Sequence, residues 1–310
     1  MDNIRILFMG TPELSAKILE GLISNNYQII ALIAQKDKLV GRKGIIEPVP
    51  TKKVAIKYNI PVFQPEKIRL DYEFVKELKP DLIITAAYGQ IIPQGLLDIP
   101  RLGCANVHGS LLPKYRGASP IQSALIHGDK ITGVTIMEMI DKMDAGRMML
   151  KESFPIEEDD NYTSLCDKIA LAGLNGLLKA IPQIITKDIP LIAQDEEQVS
   201  FCKKIKSEDE HLNLNQSAEE IINWIRALSF TPGGHLYLGD QIFKIYKAKK
   251  VNDMVDHQIG EIVSADKKGL ILQVSDGQIS LLEVQRQGKK RMDYKSFING
   301  EKNLVGKILK

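Results

Sequence analysis

The residues best suited to chemistry lie in the stretch 103–120, where an amide and an imidazole stand two positions apart. Residues 104–107 form a short, mostly apolar run, which is typical of a buried strand. Because side chains alternate along a strand, Asn106 and His108 would share one face where this strand ends. A carboxamide donor beside an imidazole can stabilise an oxyanion and move a proton. A core strand that carries two satisfied polar residues is the alternative interpretation.

The elements that must position these two side chains follow an alternating order of strand and helix. Apolar runs predict strands over 4–9, 27–34, 81–87 and 132–140. Thr11 and Pro12 suit the N-cap and the first position of a helix that follows the first strand. The order predicts an α/β domain with a doubly wound, mostly parallel sheet. No G-x-G-x-x-G motif follows the first strand, which argues against a dinucleotide site.

The C-terminal part of the chain has a different pattern. The polar segment 189–206 is predicted to be a linker between a first domain at 1–188 and a second domain at 207–310. The second domain opens with a capping box at 217–220, followed by five short strands with two-residue turns. These strands predict a small antiparallel β-barrel of the oligonucleotide-binding type.

Composition and charge limit the class of protein. Hydrophobic residues are 44% of the 310 residues and charged residues 26%, which is ordinary globular composition. We expect no membrane segment, and a cytoplasmic location, or an organelle matrix if the chain is imported. The three cysteines are far apart and favour reduced thiols without a metal site. The net charge of +2 does not by itself indicate nucleic acid.

Basic residues are nevertheless concentrated in two places. Six basic and two acidic residues lie in 35–53, and 14 basic and nine acidic residues lie in 240–310. The triplet 289–291 is one of the clusters in the second region. A solvated surface is the ordinary interpretation of such clusters, and contact with nucleic-acid phosphates is the functional alternative.

Longer motifs connect the chain to a known family. The string N-V-H-G-S-L-L-P-K-Y-R-G at 106–117 resembles the signature of folate-dependent formyltransferases. The strings at 8–13 and 285–292 resemble methionyl-tRNA formyltransferases in particular, so the resemblance covers nearly the whole chain. Leu14 and the triplet 212–214 depart from that family's usual residues. The resemblance implies a formyltransferase, Rossmann-like first domain and a β-barrel that binds tRNA.

The resemblance also implies an activity and a set of site residues. It implies transfer of a formyl group from 10-formyltetrahydrofolate, a co-substrate, to the α-amino group of methionyl initiator tRNA for translation initiation. A second signature, D-x-x-D-x-G, begins at Asp141. It matches Asp144 to a catalytic carboxylate that acts with Asn106 and His108. The folate would be held by Ser110, Leu111, Leu112 and Pro113, and no metal is needed.

The same resemblance suggests where tRNA binds. Arg42 and Lys43 match the centre of a basic insertion, and Lys204 matches a lysine that follows the first domain. In the barrel we expect contact from Lys289, Lys290 and Arg291. The expected partners are initiator methionyl-tRNA and folate, with the protein a monomer.

Three alternatives to this activity stay open at the level of sequence. The first is a formyltransferase that acts on a sugar nucleotide, and the second is a hydrolase of 10-formyltetrahydrofolate that uses the same residues. The third is a tRNA-binding protein without catalysis. Cys104 precedes Asn106 by two positions, and we expect it to be buried and inert. His127 is expected to be structural, at the end of a helix.

Overall fold

The computed structural model describes residues 4–40 and 45–310. Arg42 and Lys43 lie outside these described residues. The chain divides into two compact units. The first unit comprises Met1–Pro120, Ile131–Pro155 and Cys166–Cys202, and the second comprises Ile121–Lys130, Ile156–Leu165 and Lys203–Lys310.

The first unit contains strands β1 to β11. They are β1 (Arg5–Gly10), β2 (Gln28–Ile33), β3 (Lys38–Val40), β4 (Ile45–Glu47), β5 (Val62–Phe63), β6 (Leu82–Ala86), β7 (Cys104–His108), β8 (Arg116–Gly117), β9 (Ile131–Glu138), β10 (Met148–Pro155) and β11 (Phe201–Cys202). The helices of the first two thirds of the chain are α1 (Glu13–Ser24), α2 (Pro50–Lys57), α3 (Phe74–Leu78), α4 (Gln94–Leu97), α5 (Pro120–Ile126) and α6 (Tyr162–Thr186).

A seven-stranded sheet forms the centre of the first unit, in the order β10-β9-β7-β6-β1-β2-β5. The five strands from β7 to β5 run parallel to their neighbours, whereas β9 and β10 are antiparallel. This confirms the predicted doubly wound, mostly parallel sheet. The order places β7 between β6 and β9, and β9 runs antiparallel to β7, so that Glu138 at the end of β9 lies opposite Ala105 near the start of β7. The loop after β9 therefore folds back along the sheet to bring Asp144 close to His108 at the end of β7.

The start of α1 differs from the prediction. Thr11 does not cap the helix, because its hydroxyl donates a hydrogen bond to the carbonyl of Tyr88 at 3.2 Å. The helix begins at Glu13, with Pro12 in the cap position and no side-chain cap bond. Thr11 therefore joins the loops that follow β1 and β6.

The long helix α6 covers one face of the sheet behind β7. A Cβ atom on Gly173 would lie 2.7 Å from Cγ1 of Val107, so only glycine allows this close approach. Because Val107 faces α6, its neighbours Asn106 and His108 face the other side of the sheet. By length and composition α6 could cross a membrane, with a mean hydropathy of 1.4 over 18 residues. Buried core helices have the same composition, and 44% of that window is buried inside the protein.

The second unit consists mainly of an antiparallel sheet. Its remaining elements are helices α7 (Ala218–Leu228) and α8 (Tyr294–Gly300) and strands β12 (Gly234–Leu238), β13 (Gln241–Asn252), β14 (Ile262–Asp266), β15 (Gly269–Val274), β16 (Gly277–Arg286) and β17 (Met292–Asp293). The main path is β12-β13-β16-β15-β14, and β17 pairs with β16. Leu309 bridges Leu238 of β12 and Ile308 bridges Glu261 beside β14, so the chain end joins both edges.

These features confirm the predicted antiparallel β domain, and its opening helix is also as predicted. The hydroxyl of Ser217 accepts a hydrogen bond from the Glu220 N–H, and the Glu220 carboxylate accepts one from the Ser217 N–H. The buried core of this unit includes Ile221 and Ile225 of α7 and Phe243 of β13.

The segment 189–206 differs from the predicted linker. Residues up to Cys202 group with the first unit. Strand β11 pairs with β8, which brings Phe201 opposite Arg116, and Ile192 bridges Met148. Gln194 and Ser200 of this segment hydrogen-bond to other parts of the first unit.

Candidate active site

Asn106 lies near the end of β7 and is oriented by the neighbouring strand. Thr85 of β6 is its register partner, and the Thr85 hydroxyl donates a hydrogen bond to Oδ1 of Asn106 at 2.7 Å. Because Oδ1 is occupied, the Nδ2 hydrogens of this half-buried amide point elsewhere and can serve as donors. Sequence reasoning missed Thr85, since nothing in the sequence shows which residue pairs with Asn106.

His108 ends β7, is 5% exposed, and has one ring nitrogen fixed. Its Nε2 lies 2.9 Å from the carbonyl oxygen of Tyr115. A carbonyl only accepts, so Nε2 carries a hydrogen and donates it. Its Nδ1 faces Asp144 and lies 3.6 Å from Oδ1 of that carboxylate. Nδ1 is therefore the ring nitrogen that is directed at the carboxylate of Asp144.

Asp144 lies in the loop between β9 and β10, with a left-handed backbone at φ +48°. Its Oδ2 accepts a hydrogen bond from the Gly117 N–H at 2.8 Å. Gly117 has φ +127°, and a Cβ there would lie 2.2 Å from the carbonyl oxygen of Cys202. Glycine is required at this position, where the backbone holds the carboxylate close to His108.

A buried arginine lies beside this loop. Arg116 is fully buried, and its guanidinium pairs with the exposed Glu196 at 2.8 Å between Nη2 and Oε1. This contact lowers the pKa of the Glu196 carboxyl. The Nε of Arg116 donates to Oε1 of Gln194 at 2.9 Å. The sequence singled out neither Gln194 nor Glu196, since both lie in the predicted linker.

The segment 110–113 is held largely by bonds within the first unit. The Thr135 hydroxyl donates to the carbonyl of Ser110 at 2.8 Å and accepts from the N–H of Leu112 at 3.0 Å. The carbonyl of Pro113 accepts from the N–H of Ser200 at 3.3 Å. These three bonds fix the course of the main chain from Ser110 to Pro113.

The predicted tRNA-binding residues differ in their surroundings. Lys204, Lys289 and Lys290 are exposed. Arg291 is engaged within the second unit, because its Nε pairs with Glu283 at 2.9 Å and its guanidinium lies 4.0 Å from the centre of the Phe230 ring.

Comparison with known proteins identifies the family. The family model "Formyl transferase" matches residues 3–181, and "Formyl transferase, C-terminal domain" matches residues 204–302. The methionyl-tRNA formyltransferase of Latilactobacillus sakei subsp. sakei (strain 23K) is 45% identical over 307 residues, which cover 98% of this chain and 95% of the relative. The chain belongs to the methionyl-tRNA formyltransferase family.

A second relative agrees with this membership, and a solved structure has a similar fold. The methionyl-tRNA formyltransferase of Bacillus subtilis (strain 168) is 42% identical over 98% of this chain and 97% of the relative. The fold resembles that of HypX from Aquifex aeolicus in complex with tetrahydrofolic acid, with a TM-score of 0.68 and 17% sequence identity. That match covers 96% of this chain and 47% of HypX.

Membership of this family identifies the reaction that the protein catalyses. Methionyl-tRNA formyltransferases are enzymes that transfer a formyl group from 10-formyltetrahydrofolate to methionyl-tRNA for translation initiation, and this chain is a formyltransferase of that kind. Among residues 4–40 and 45–310 no group of three or more His, Cys, Asp or Glu side chains could hold a metal ion.

Cys104 gives a testable distinction between direct transfer and a thioester route in this methionyl-tRNA formyltransferase. The thiol is 5% exposed, and burial raises its pKa to about 12, so it stays protonated near neutral pH. We therefore expect Cys104→Ala to retain kcat within about twofold. Steady-state formylation and intact-protein mass spectrometry test this, and a formyl adduct on Cys104 would contradict it.

Proposed function

We propose that Asn106, His108 and Asp144 perform the formyl transfer by direct attack of the amine on the formyl carbon. The observation that supports this most strongly is the arrangement of His108. Its Nε2 is held by the Tyr115 carbonyl, while Nδ1 faces the carboxylate of Asp144 across 3.6 Å. The Asn106 amide lies on the same face of β7.

Asn106 stabilises the charge that develops on the formyl oxygen. When the amine attacks, a carbon–nitrogen bond forms and the carbonyl electron pair moves onto oxygen. The Nδ2 hydrogens of Asn106 are available to this oxygen because Thr85 occupies Oδ1. A donor that is already oriented contributes about 3–4 kcal/mol to the transition state.

His108 and Asp144 handle the proton. The attacking α-amino group is neutral in a substantial fraction near neutral pH and becomes an ammonium on attack. One proton leaves this ammonium for the carboxylate of Asp144, directly or through a water molecule. The protonated Nδ1 of His108 then donates to the folate nitrogen as its bond to the formyl carbon breaks. After His108 has given its own proton to the folate nitrogen, the proton on Asp144 returns to Nδ1 through a water molecule, because their separation of 3.6 Å exceeds a hydrogen bond.

Ser110, Leu111, Leu112 and Pro113 are proposed to line the folate site. Leu111 and Pro113 are half-buried and offer surface to the folate, while the buried Ser110 and Leu112 fix their position. Thr135 and Ser200 already bind three main-chain groups of this segment, and the segment holds folate through its other main-chain groups and by shape.

The tRNA is proposed to contact the exposed basic residues. Lys204, Lys289 and Lys290 are exposed and can pair with phosphates, and Arg42 and Lys43 are added from the sequence alone. Arg291 is assigned a structural role instead, since Glu283 and Phe230 already hold it. The initiator form of methionyl-tRNA is the proposed acceptor.

We infer that the protein acts as a cytoplasmic monomer. The three proposed catalytic residues all come from the first unit of one chain, so the chemistry needs no second copy. Elution as a single chain of about 35 kDa in size-exclusion chromatography is the expected result, in line with the 34.6 kDa mass.

One assay separates the proposed activity from the two alternative reactions. Formate release and formyl-acceptor production are measured with 10-formyltetrahydrofolate alone, with charged initiator tRNA, and with an amino-sugar nucleotide. We expect rapid N-formylation of the charged tRNA and little reaction in the other two mixtures. Formate release that is equally fast without an acceptor would indicate a hydrolase. Preferential formylation of the sugar nucleotide would indicate a sugar enzyme.

A further inference from the structure

We propose that Gln194 is a positioning residue that holds the loop of Asp144 against His108. This inference rests on the proposed role of Asp144 as a catalytic carboxylate. Gln194 lies 50 residues further along the chain, in the segment between α6 and β11. It is 9% exposed, so its amide group must find partners inside the protein.

The partners of Gln194 are two carbonyls of the catalytic loop. Its Nε2 donates hydrogen bonds to the carbonyl oxygens of Asp144 and Gly146, each at 2.8 Å. Both amide hydrogens are thereby used, and they hold the backbone on either side of Ala145. Gln194 thus binds only the main chain of the loop, so the carboxylate of Asp144 can still face His108.

The orientation of the Gln194 amide is set by Arg116. A guanidinium only donates, so the atom of Gln194 that lies 2.9 Å from Nε of Arg116 must be the oxygen. The nitrogen is therefore directed at the loop, and the reverse orientation would place two donors together. The exposed carboxylate of Glu196 keeps the charge of Arg116 paired. Glu196, Arg116 and Gln194 thus form a chain of contacts that ends at Asp144.

The loop gains from such a restraint because Asp144 has a left-handed backbone, at φ +48°. Aspartate adopts this conformation more often than most residues other than glycine, but it is still less favourable than the helical and extended regions. One contact is the bond from the Gly117 N–H to Oδ2 of Asp144. The two bonds from Gln194 supply the opposing contact. Together they fix the distance between the carboxylate and Nδ1 of His108.

Two substitutions remove the donors while preserving the size of the side chain. Gln194→Met has no hydrogen to donate, and Gln194→Glu keeps an acceptor for Arg116 but places an oxygen against the two carbonyls. We expect each variant to lower kcat by about 10- to 100-fold, with KM for both substrates within about twofold. Gln198→Met, an exposed residue of the same segment, is the matched control and should keep wild-type kcat.

A double-mutant cycle distinguishes positioning of Asp144 from a general structural role. In the Asp144→Asn background, Gln194→Met should change kcat by less than about twofold, because nothing remains to position. The concentration of folded enzyme is taken from titration with a non-transferable folate, and thermal melting is recorded for every variant.

Each outcome of this cycle decides one assignment. Wild-type kcat in both Gln194 variants, or a full loss that persists in the Asp144→Asn background, would overturn the role of Gln194 alone. Wild-type kcat for Asp144→Asn itself would overturn the catalytic assignment and with it the positioning role. If Gln194→Met does not fold, Gln194→Glu is measured in the same cycle, and loss of folding in both would show that Gln194 is structural.

Discussion

Replacement of Asn106, His108 or Asp144 by alanine is expected to lower kcat by about 100-fold or more. Loss of Asn106 removes an oriented donor to the oxyanion, and this alone has an effect of that size in comparable sites. Loss of His108 removes the proposed acid for the leaving folate nitrogen. Loss of Asp144 removes the carboxylate that faces Nδ1 across 3.6 Å. Steady-state kinetics with charged initiator tRNA and 10-formyltetrahydrofolate provide the measurement.

Each of these substitutions has a control or a conservative counterpart. Asn106→Asp keeps the shape but cannot donate, so it should be as slow as Asn106→Ala. Asp141→Ala removes an exposed carboxylate from the same loop, and His127→Ala removes a histidine whose Nδ1 donates to the carbonyl of Ser123. Both controls should retain wild-type kcat. Folate affinity should be largely unchanged in every variant, and a variant with near-normal turnover would exclude its residue from the mechanism.

Neutralising Arg42 and Lys43 is expected to raise KM for charged tRNA and to flatten its salt dependence. Contacts with phosphates release counterions, so each contact that is lost should lower the slope of log KM against log salt by about one unit. The Lys289→Ala, Lys290→Ala double variant should behave in the same way. We expect the larger effect on kcat from the Arg42 and Lys43 variant, because the chain leaves β2 at the same edge of the sheet where β7 ends with His108.

A matched loss of charge tests whether this effect is local. Lys76→Ala with Lys79→Ala removes two charges before β6, at the opposite edge of the same sheet. This control should leave both KM and the salt slope unchanged, and no variant should alter folate affinity. Equal salt slopes in wild type and in both test variants would mean that tRNA binds elsewhere. Equal changes in all three variants would mean that only total charge matters.

The placement of Asn106 and His108 could be predicted, because it depends only on residues that are close together in the sequence. Alternation along β7 places Asn106 and His108 on one face, and the structure confirms the strand with Val107 directed at α6. The role of Thr85 could not be predicted in this way. It depends on the register between β6 and β7, which is set by the packing of the whole sheet.

The support of Asp144 illustrates why the rest of the site was not visible in the sequence. The polar composition of 189–206 is typical of a linker, yet Gln194 bonds to a loop 50 residues earlier in the chain. Ser200 similarly accepts a hydrogen bond from the Tyr115 N–H, 85 residues away. A glutamine that is exposed to solvent and a glutamine that donates to buried carbonyls look the same in the sequence. Only the three-dimensional contacts distinguish them.

The pairing of β8 with β11 has a consequence for attempts to exchange modules between enzymes. A chimera joined after residue 188 would place a foreign strand, and a foreign residue in place of Gln194, against the recipient's own loop that carries Asp144. A junction after Cys202 keeps these native. A junction after Cys202 still does not exchange the whole second unit. Ile121–Lys130 and Ile156–Leu165 group with that unit but would keep the recipient's sequence. Exchange of the whole second unit therefore requires three coordinated replacements rather than a single cut.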